Sequence, residues 1–219
     1  MFDKGAVDAV LFDLDGTLMD TDDQQVEAIA RRLMRLRWPR PHRTARRVVM
    51  AAETPANGLL TILDILGLDG PLMSLSRKLN RLRGWHEPVG FRIVADTREM
   101  LVELAVHYRL GVVTTRSSHD AQAFLGQYDL QDAFATIVTC ESTRRLKPHP
   151  APVHYAAQQL DVPVSRCVMV GDTTVDVKSA RRAGAWAVGV LCGFGEQEEL
   201  ERAGAHAILE STAQFPSLL

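Results

Sequence analysis

Cysteine is scarce and unpatterned in this chain. Its three cysteines, Cys140, Cys167 and Cys192, are odd in number and far apart, and no two form a Cys-x-x-Cys pair. That excludes a disulfide framework or a cysteine zinc site as the organising device, and a reducing cytoplasm is the expected setting. A charge excess of either sign is missing too. The 25 lysines and arginines stand against 27 aspartates and glutamates, a formal net charge of −2. Such a balance gives no overall pull toward nucleic acid or an anionic membrane. No apolar run approaches the ~20 residues of a membrane-spanning helix. The opening Met1-Phe2-Asp3-Lys4-Gly5 has no basic stretch leading into an apolar one, so no secretory leader is expected. There is no internal repeat and no low-complexity segment. What remains is a globular composition, 46% hydrophobic and 24% charged over 219 residues. That suits one large domain, or a core domain with a smaller insert.

The organising stretch is Ala9-Val10-Leu11-Phe12-Asp13-Leu14-Asp15-Gly16-Thr17-Leu18. A short apolar run that breaks into two carboxylates, a glycine and a hydroxyl is the pattern of a buried parallel strand reaching a turn. Alternation places Asp13 and Asp15 on one side of the extended chain and Leu14 on the other. Two carboxylates that close cannot both stay ionised in a dry place without a counter-charge, and hard oxygen ligands suit Mg²⁺. Alone, the same residues also read as a capped strand end.

The rest of the chain divides at two points. Val7 to Phe12 is expected as the first strand. Residues 19–91 read as helices only, over 21–37, 44–52, 56–66 and 72–82, with Gly67 and Gly84 as stops. From Asp96 onward, strands alternate with helices. Expected helices are 96–107 capped by Asp96, 118–127 capped by Ser118, 150–160, 173–183 and 197–203. Expected strands are 110–113, 135–138, 167–170, 185–191 and 207–209. Alternation of this kind predicts right-handed crossovers and a doubly wound α/β parallel sheet. The expected domains are an α/β core from 1–18 and 92–219, and a helical insert over 19–91.

Ligands of an open parallel sheet bind where the strands end. Here the strand ends carry Asp13, Asp15 and Thr17, then Thr114 and Thr115, then Gly171-Asp172 with Asp176 one helical turn on; Lys147-Pro148 follows the third strand. Carboxylates, a lysine and hydroxyls around one crevice are the groups that phosphoryl transfer uses. Taken singly, each has a bland reading: a strand-to-helix turn for Gly171-Asp172, a solvated loop for Lys147, helix capping for the threonines.

Together, Asp13-Leu14-Asp15-Gly16-Thr17, Val112-Val113-Thr114, Lys147-Pro148 and Gly171-Asp172-Thr173-Thr174-Val175-Asp176 resemble the four motifs of the haloacid dehalogenase-like hydrolase superfamily. The insert resembles that superfamily's small α-helical cap. The core resembles its phosphoglycolate phosphatase-like branch, down to Gly193-Phe194-Gly195-Glu196. The resemblance implies a Rossmann-like core and a Mg²⁺-dependent phosphatase acting on a small phosphorylated substrate. Asp13 would be the nucleophile that forms an aspartyl-phosphate. Asp15 would be the general acid and then the base. Thr114, with Thr17, Thr115 and Lys147, would hold the phosphoryl group, and Lys147 would also hold Asp13. Asp13, Asp172 and the backbone carbonyl of Asp15 would bind Mg²⁺, with Asp176 behind them. Dehalogenases of the superfamily lack an acid at the position of Asp15, which points away from halide as the leaving group.

Two features depart from the pattern. Thr115 stands where relatives often carry Asn. The insert holds eight arginines between residues 31 and 47, namely Arg31, Arg32, Arg35, Arg37, Arg40, Arg43, Arg46 and Arg47. A second basic group is Arg77, Lys78, Arg81 and Arg83. A solvated helix face accounts for most of them. A phosphomutase using the same intermediate, or a nucleic-acid- or protein-binding module built on the basic insert, are the competing readings. Neither membrane nor nucleic acid is expected as a partner, and the sequence fixes no oligomeric state.

Overall fold

The computed structural model describes residue 5 and residues 7–20, 31–35 and 91–219. Its strands are β1 (Ala9–Phe12), β2 (Arg109–Val113), β3 (Thr136–Val138), β4 (Cys167–Gly171), β5 (Trp186–Val190) and β6 (Ala207–Leu209). They form one sheet in the order β3-β2-β1-β4-β5-β6. Every neighbouring pair is parallel, and Phe12 is flanked by Val112 and Val170. The chain therefore moves outward from β1 to one edge, returns to β4 on the other side of β1, and moves outward again. The gap between β1 and β4 is the switch point where diverging loops leave a crevice.

Among the described residues, five helices lie against the sheet: α1 (Thr97–Ala105), α2 (Ser118–Gln127), α3 (Ala151–Gln159), α4 (Thr174–Ala183) and α5 (Gln197–Ala203). A last 3-10 helix spans Thr212–Leu218. The period of two in β1 divides the core. Val10 and Phe12 join Leu101 of α1, Phe124 of α2 and Phe215 on one face. Ala9 and Leu11 join Val153 of α3, Val177 of α4 and Leu200 of α5 on the other. Phe12 and Phe215 meet edge to face with centroids 6.0 Å apart. Truncating a buried ring of this kind to Ala costs about 3–5 kcal/mol. Because both faces are covered, the strands read as unbroken apolar runs.

The first strand and the expected elements from Asp96 onward are present, with ends within two residues of those expected, and three differences concern how elements begin. Asp96 stands just before α1 in a left-handed conformation, φ 60°, and its side chain makes no cap bond. The cap of α2 is Ser117, not Ser118, and its hydroxyl accepts from Asp120 N. The first strand starts at Ala9, two residues later than expected. Residues 31–35 are helical, inside the expected 21–37 helix, with Arg31, Arg32 and Arg35 exposed. The other helices expected in the insert, and the basic residues from Arg37 to Arg83, lie outside the described residues. The two connections to that segment are paired. Asp20 N donates to Arg92 O and Val94 N to Leu18 O, both at 2.9 Å. The chain thus leaves and re-enters the core at one point, directly beside the end of β1.

Candidate active site

Past Phe12 the backbone gives one more ladder bond, Asp13 N to Val170 O at 3.0 Å, and then turns. Leu14 O takes the amides of Thr17, Leu18 and Met19, which closes the turn tightly. Asp13 is left buried at the switch point. Its carboxylate Oδ1 accepts from Lys147 Nζ at 2.7 Å. The same ammonium donates to Asp176 Oδ1 at 2.7 Å and to Val113 O at 2.9 Å. All three of its protons are thus committed. Helix α4 holds the loop that brings Lys147 in: Arg182 donates to Pro148 O at 2.9 Å and Ser179 to His149 O at 2.8 Å.

Asp176 sits in the first turn of α4. Its Oδ2 accepts from Thr173 N at 3.1 Å and from Thr173 Oγ1 at 2.5 Å, so it caps the helix while holding Lys147. Asp172, at the end of β4, is fully buried. Phe194 N donates to its Oδ2 at 2.8 Å, and Thr17 Oγ1 approaches its Oδ1 at 3.4 Å. Thr17 is itself anchored through its carbonyl, which accepts from Thr212 Oγ1 at 2.7 Å. Two glycines make room for Asp172. Gly16 has φ +69°, and a Cβ there or at Gly193 would overlap the Asp172 carboxylate.

Asp13, Asp172 and Asp176 offer carboxylate oxygens that lie within 4.8 Å of one another. Three buried carboxylates face a single buried ammonium, an excess of negative charge. Burial pushes the Asp13 carboxyl up to about 7; the Lys147 charge opposes this, and Asp176 and Asp15 add to it. Burial works against the Lys147 charge as well, but Asp13 and Asp176 more than offset it and raise its pKa. An all-oxygen cluster with surplus negative charge is the donor set a hard divalent cation takes, so the residues present fit Mg²⁺.

The other expected residues fall around this cluster. Thr114 is buried, and its Oγ1 accepts from Arg116 N at 3.1 Å, which leaves its hydroxyl proton to donate. Thr115 is exposed. Asp15 is half-buried, and its carboxylate pairs with Arg116. The guanidinium donates to Asp15 from Nε at 3.0 and 2.8 Å and from Nη2 at 2.8 Å. Arg116 is the residue that sequence reasoning missed. Its signal was position: it is a cation two residues past Thr114 on a loop already assigned to the site.

Residues 10–190 match the haloacid dehalogenase-like hydrolase family. The chain belongs to that family. Within this hydrolase family it is similar to the pyrophosphatase PpaX of Anoxybacillus flavithermus, with 28% identity over 214 residues and 97% of each chain covered. It is 30% identical over 229 residues to the plasmid-encoded phosphoglycolate phosphatase of Cupriavidus necator, covering 96% of this chain and 92% of that one. A haloacid dehalogenase-like hydrolase from Streptococcus pneumoniae shares the fold, with a TM-score of 0.69 at 22% identity over 98% and 99% of the two chains. The six-stranded parallel sheet is thus the Rossmann-like core of the hydrolase family.

Proposed function

We propose that the protein is a Mg²⁺-dependent phosphatase that hydrolyses a small phosphomonoester through an aspartyl-phosphate on Asp13. The observation that carries this reading is the placement of Asp13: a buried carboxylate at the switch point, oriented by Lys147 and set within a cluster of carboxylate oxygens. The two named relatives act on small phosphates, and both names support the phosphatase class.

In the proposed reaction an Asp13 oxygen attacks phosphorus and the bond to the ester oxygen breaks. Asp15 gives its proton to the departing alkoxide. Asp15, now a carboxylate, takes a proton from water as that water attacks the same phosphorus. The bond between Asp13 and phosphorus breaks, inorganic phosphate leaves, and both aspartates return to their starting state. Lys147 orients Asp13 throughout, and Thr114 donates its hydroxyl proton to a phosphoryl oxygen. Mg²⁺, held by Asp13 and Asp172 with the Asp15 carbonyl and backed by Asp176, would neutralise charge so that an anionic carboxylate meets an anionic phosphate. Asp15 supplies a proton that halide would not need, which favours an oxygen leaving group.

The described parts fit residues 1–18 and 92–219 as the core, with 19–91 as a helical cap entered and left beside the site. Substrate choice then lies with the cap, and 2-phosphoglycolate is the first candidate. A cytoplasmic setting fits three cysteines of which none is joined in a disulfide. The experiment is a screen of phosphomonoesters with Mg²⁺, including 2-phosphoglycolate, sugar phosphates, nucleotides and pyrophosphate. Release of inorganic phosphate by the wild type and not by Asp13→Asn supports the reading. Interconversion of sugar phosphates without net phosphate release would make the protein a phosphomutase instead.

A further inference from the structure

Arg116 reaches from the loop after β2 to the carboxylate of Asp15 at the end of β1. Its guanidinium grips both oxygens of Asp15 across 101 residues of sequence. Both side chains are partly open, 16% for Arg116 and 30% for Asp15. A pair that open contributes at most about 1 kcal/mol to stability. The geometry around it is nevertheless elaborate. The guanidinium carbon lies 5.8 Å from the centre of the Phe91 ring, within cation–π reach. Phe91 is locked in turn: its amide donates to Gln127 Oε1 at 3.1 Å, and its carbonyl accepts from Gln127 Nε2 at 2.7 Å and Tyr128 OH at 2.6 Å. Its ring also packs edge to face on Phe124, 5.9 Å between centroids. On the other side, the backbone amide of Arg116 bonds Thr114 Oγ1. One residue therefore ties together a candidate phosphoryl-binding hydroxyl, the candidate acid–base carboxylate and Phe91 at the point where the chain re-enters the core.

We propose that Arg116 is the positioning residue for Asp15, its guanidinium fork fixing the plane in which the carboxyl group meets the ester oxygen. The proposal rests on the reading of Asp15 as acid and base given above. Arginine suits the task for two reasons. Its planar fork fixes orientation, where a lysine is a point charge that lets the carboxylate rotate. It also neither gives nor takes a proton in water near neutrality, so it does not compete with Asp15 for the proton being moved. A protonated Asp15 keeps a carbonyl oxygen that still accepts from the guanidinium. Phe91 completes the device by limiting the swing of the guanidinium, and it is the last residue of the expected insert, directly before the core resumes.

The test compares wild type, Asp15→Asn, Arg116→Lys, Arg116→Gln, Phe91→Leu and the Asp15→Asn/Arg116→Gln double variant, with Mg²⁺ saturating. The substrates are p-nitrophenyl phosphate, whose leaving group needs little protonation, and the best alkyl phosphate from the screen. Arg116→Gln and Arg116→Lys are expected to lower kcat/KM, which reports phosphorylation of Asp13 and loss of the alkoxide, by roughly tenfold or more on the alkyl ester, with no rise in KM and a much smaller loss on p-nitrophenyl phosphate. Phe91→Leu should show the same pattern more weakly. The double variant should be no slower than Asp15→Asn alone, since both changes remove one function. A raised KM with kcat preserved would overturn the proposal and make Arg116 a substrate-binding cation. So would losses that multiply in the double variant, or an Arg116→Lys enzyme as fast as wild type. Equal loss of kcat/KM on both esters by Asp15→Asn would instead sink the acid role of Asp15, and the proposal with it.

Discussion

Lys147 Nζ and Asp13 Oδ1 lie 2.7 Å apart, both buried, joined across 134 residues of sequence. The lysine spends its other two protons on Asp176 and on Val113 O. It can reach a phosphoryl oxygen only by releasing one of these partners. Its resting task is therefore to fix Asp13 and to offset two of three crowded carboxylates.

Lys147→Met keeps the bulk of the side chain and removes the charge. The variant leaves Asp13 and Asp176 buried without their cation. In metal-free protein it is expected to lose about 3 kcal/mol of stability or more, as broken buried ion pairs do. Chemical denaturation measures this. Turnover should fall by about a hundredfold or more, because Asp13, the proposed nucleophile, loses its orientation. Stability and kcat both at the wild-type level would contradict the role given to Lys147.

The carboxylate cluster predicts stabilisation by metal. Binding to the native state alone adds about 2.7 kcal/mol at a hundred times Kd. For a chain of this size that raises Tm by roughly 5–10 °C. Thermal unfolding with Mg²⁺ and with a chelator checks it, and Asp172→Asn should abolish the shift. Turnover that persists in chelator would mean another mechanism.

The pH dependence of the metal-free protein follows from Asp13. Its carboxyl titrates at about 7 in the folded chain, above the ordinary value of 3.8. The folded state therefore holds a proton that the unfolded state has already lost, and stability declines as pH rises from the lower value through the upper. Asp13→Asn removes that slope. In chelator near pH 8 the variant should melt a few degrees above wild type, and the gap should close as pH falls toward about 4. A variant that melts lower than wild type at every pH would show that Asp13 is not strained.

Much of this was legible in the sequence. β1, β2 and β4 are short apolar runs that end in turn residues, and burial on both faces produces that pattern directly. Asp13, Thr114, Lys147, Asp172 and Asp176 converge because each follows or adjoins a strand end on one rim of the sheet. Contacts set by side-chain reach were not legible. Arg116 reads as a solvated loop cation until the fold brings Asp15 beside it. Ser117 and Ser118 are chemically alike, so only backbone geometry says which one caps α2. Asp96 has the right residue type for a cap, but its left-handed backbone leaves its side chain without a cap bond. The roles of Phe194 N and Gly193 around Asp172 depend on β5 returning to the crevice, which no local pattern encodes.

The central claim is a covalent bond between Asp13 and phosphorus. Acid quenching during turnover of a phosphomonoester, followed by borohydride reduction, converts a phosphorylated aspartate to homoserine, which peptide mass spectrometry locates. The account predicts homoserine at position 13, dependent on both substrate and Mg²⁺. Steady turnover with aspartate intact at position 13, or with homoserine at another aspartate, would contradict it.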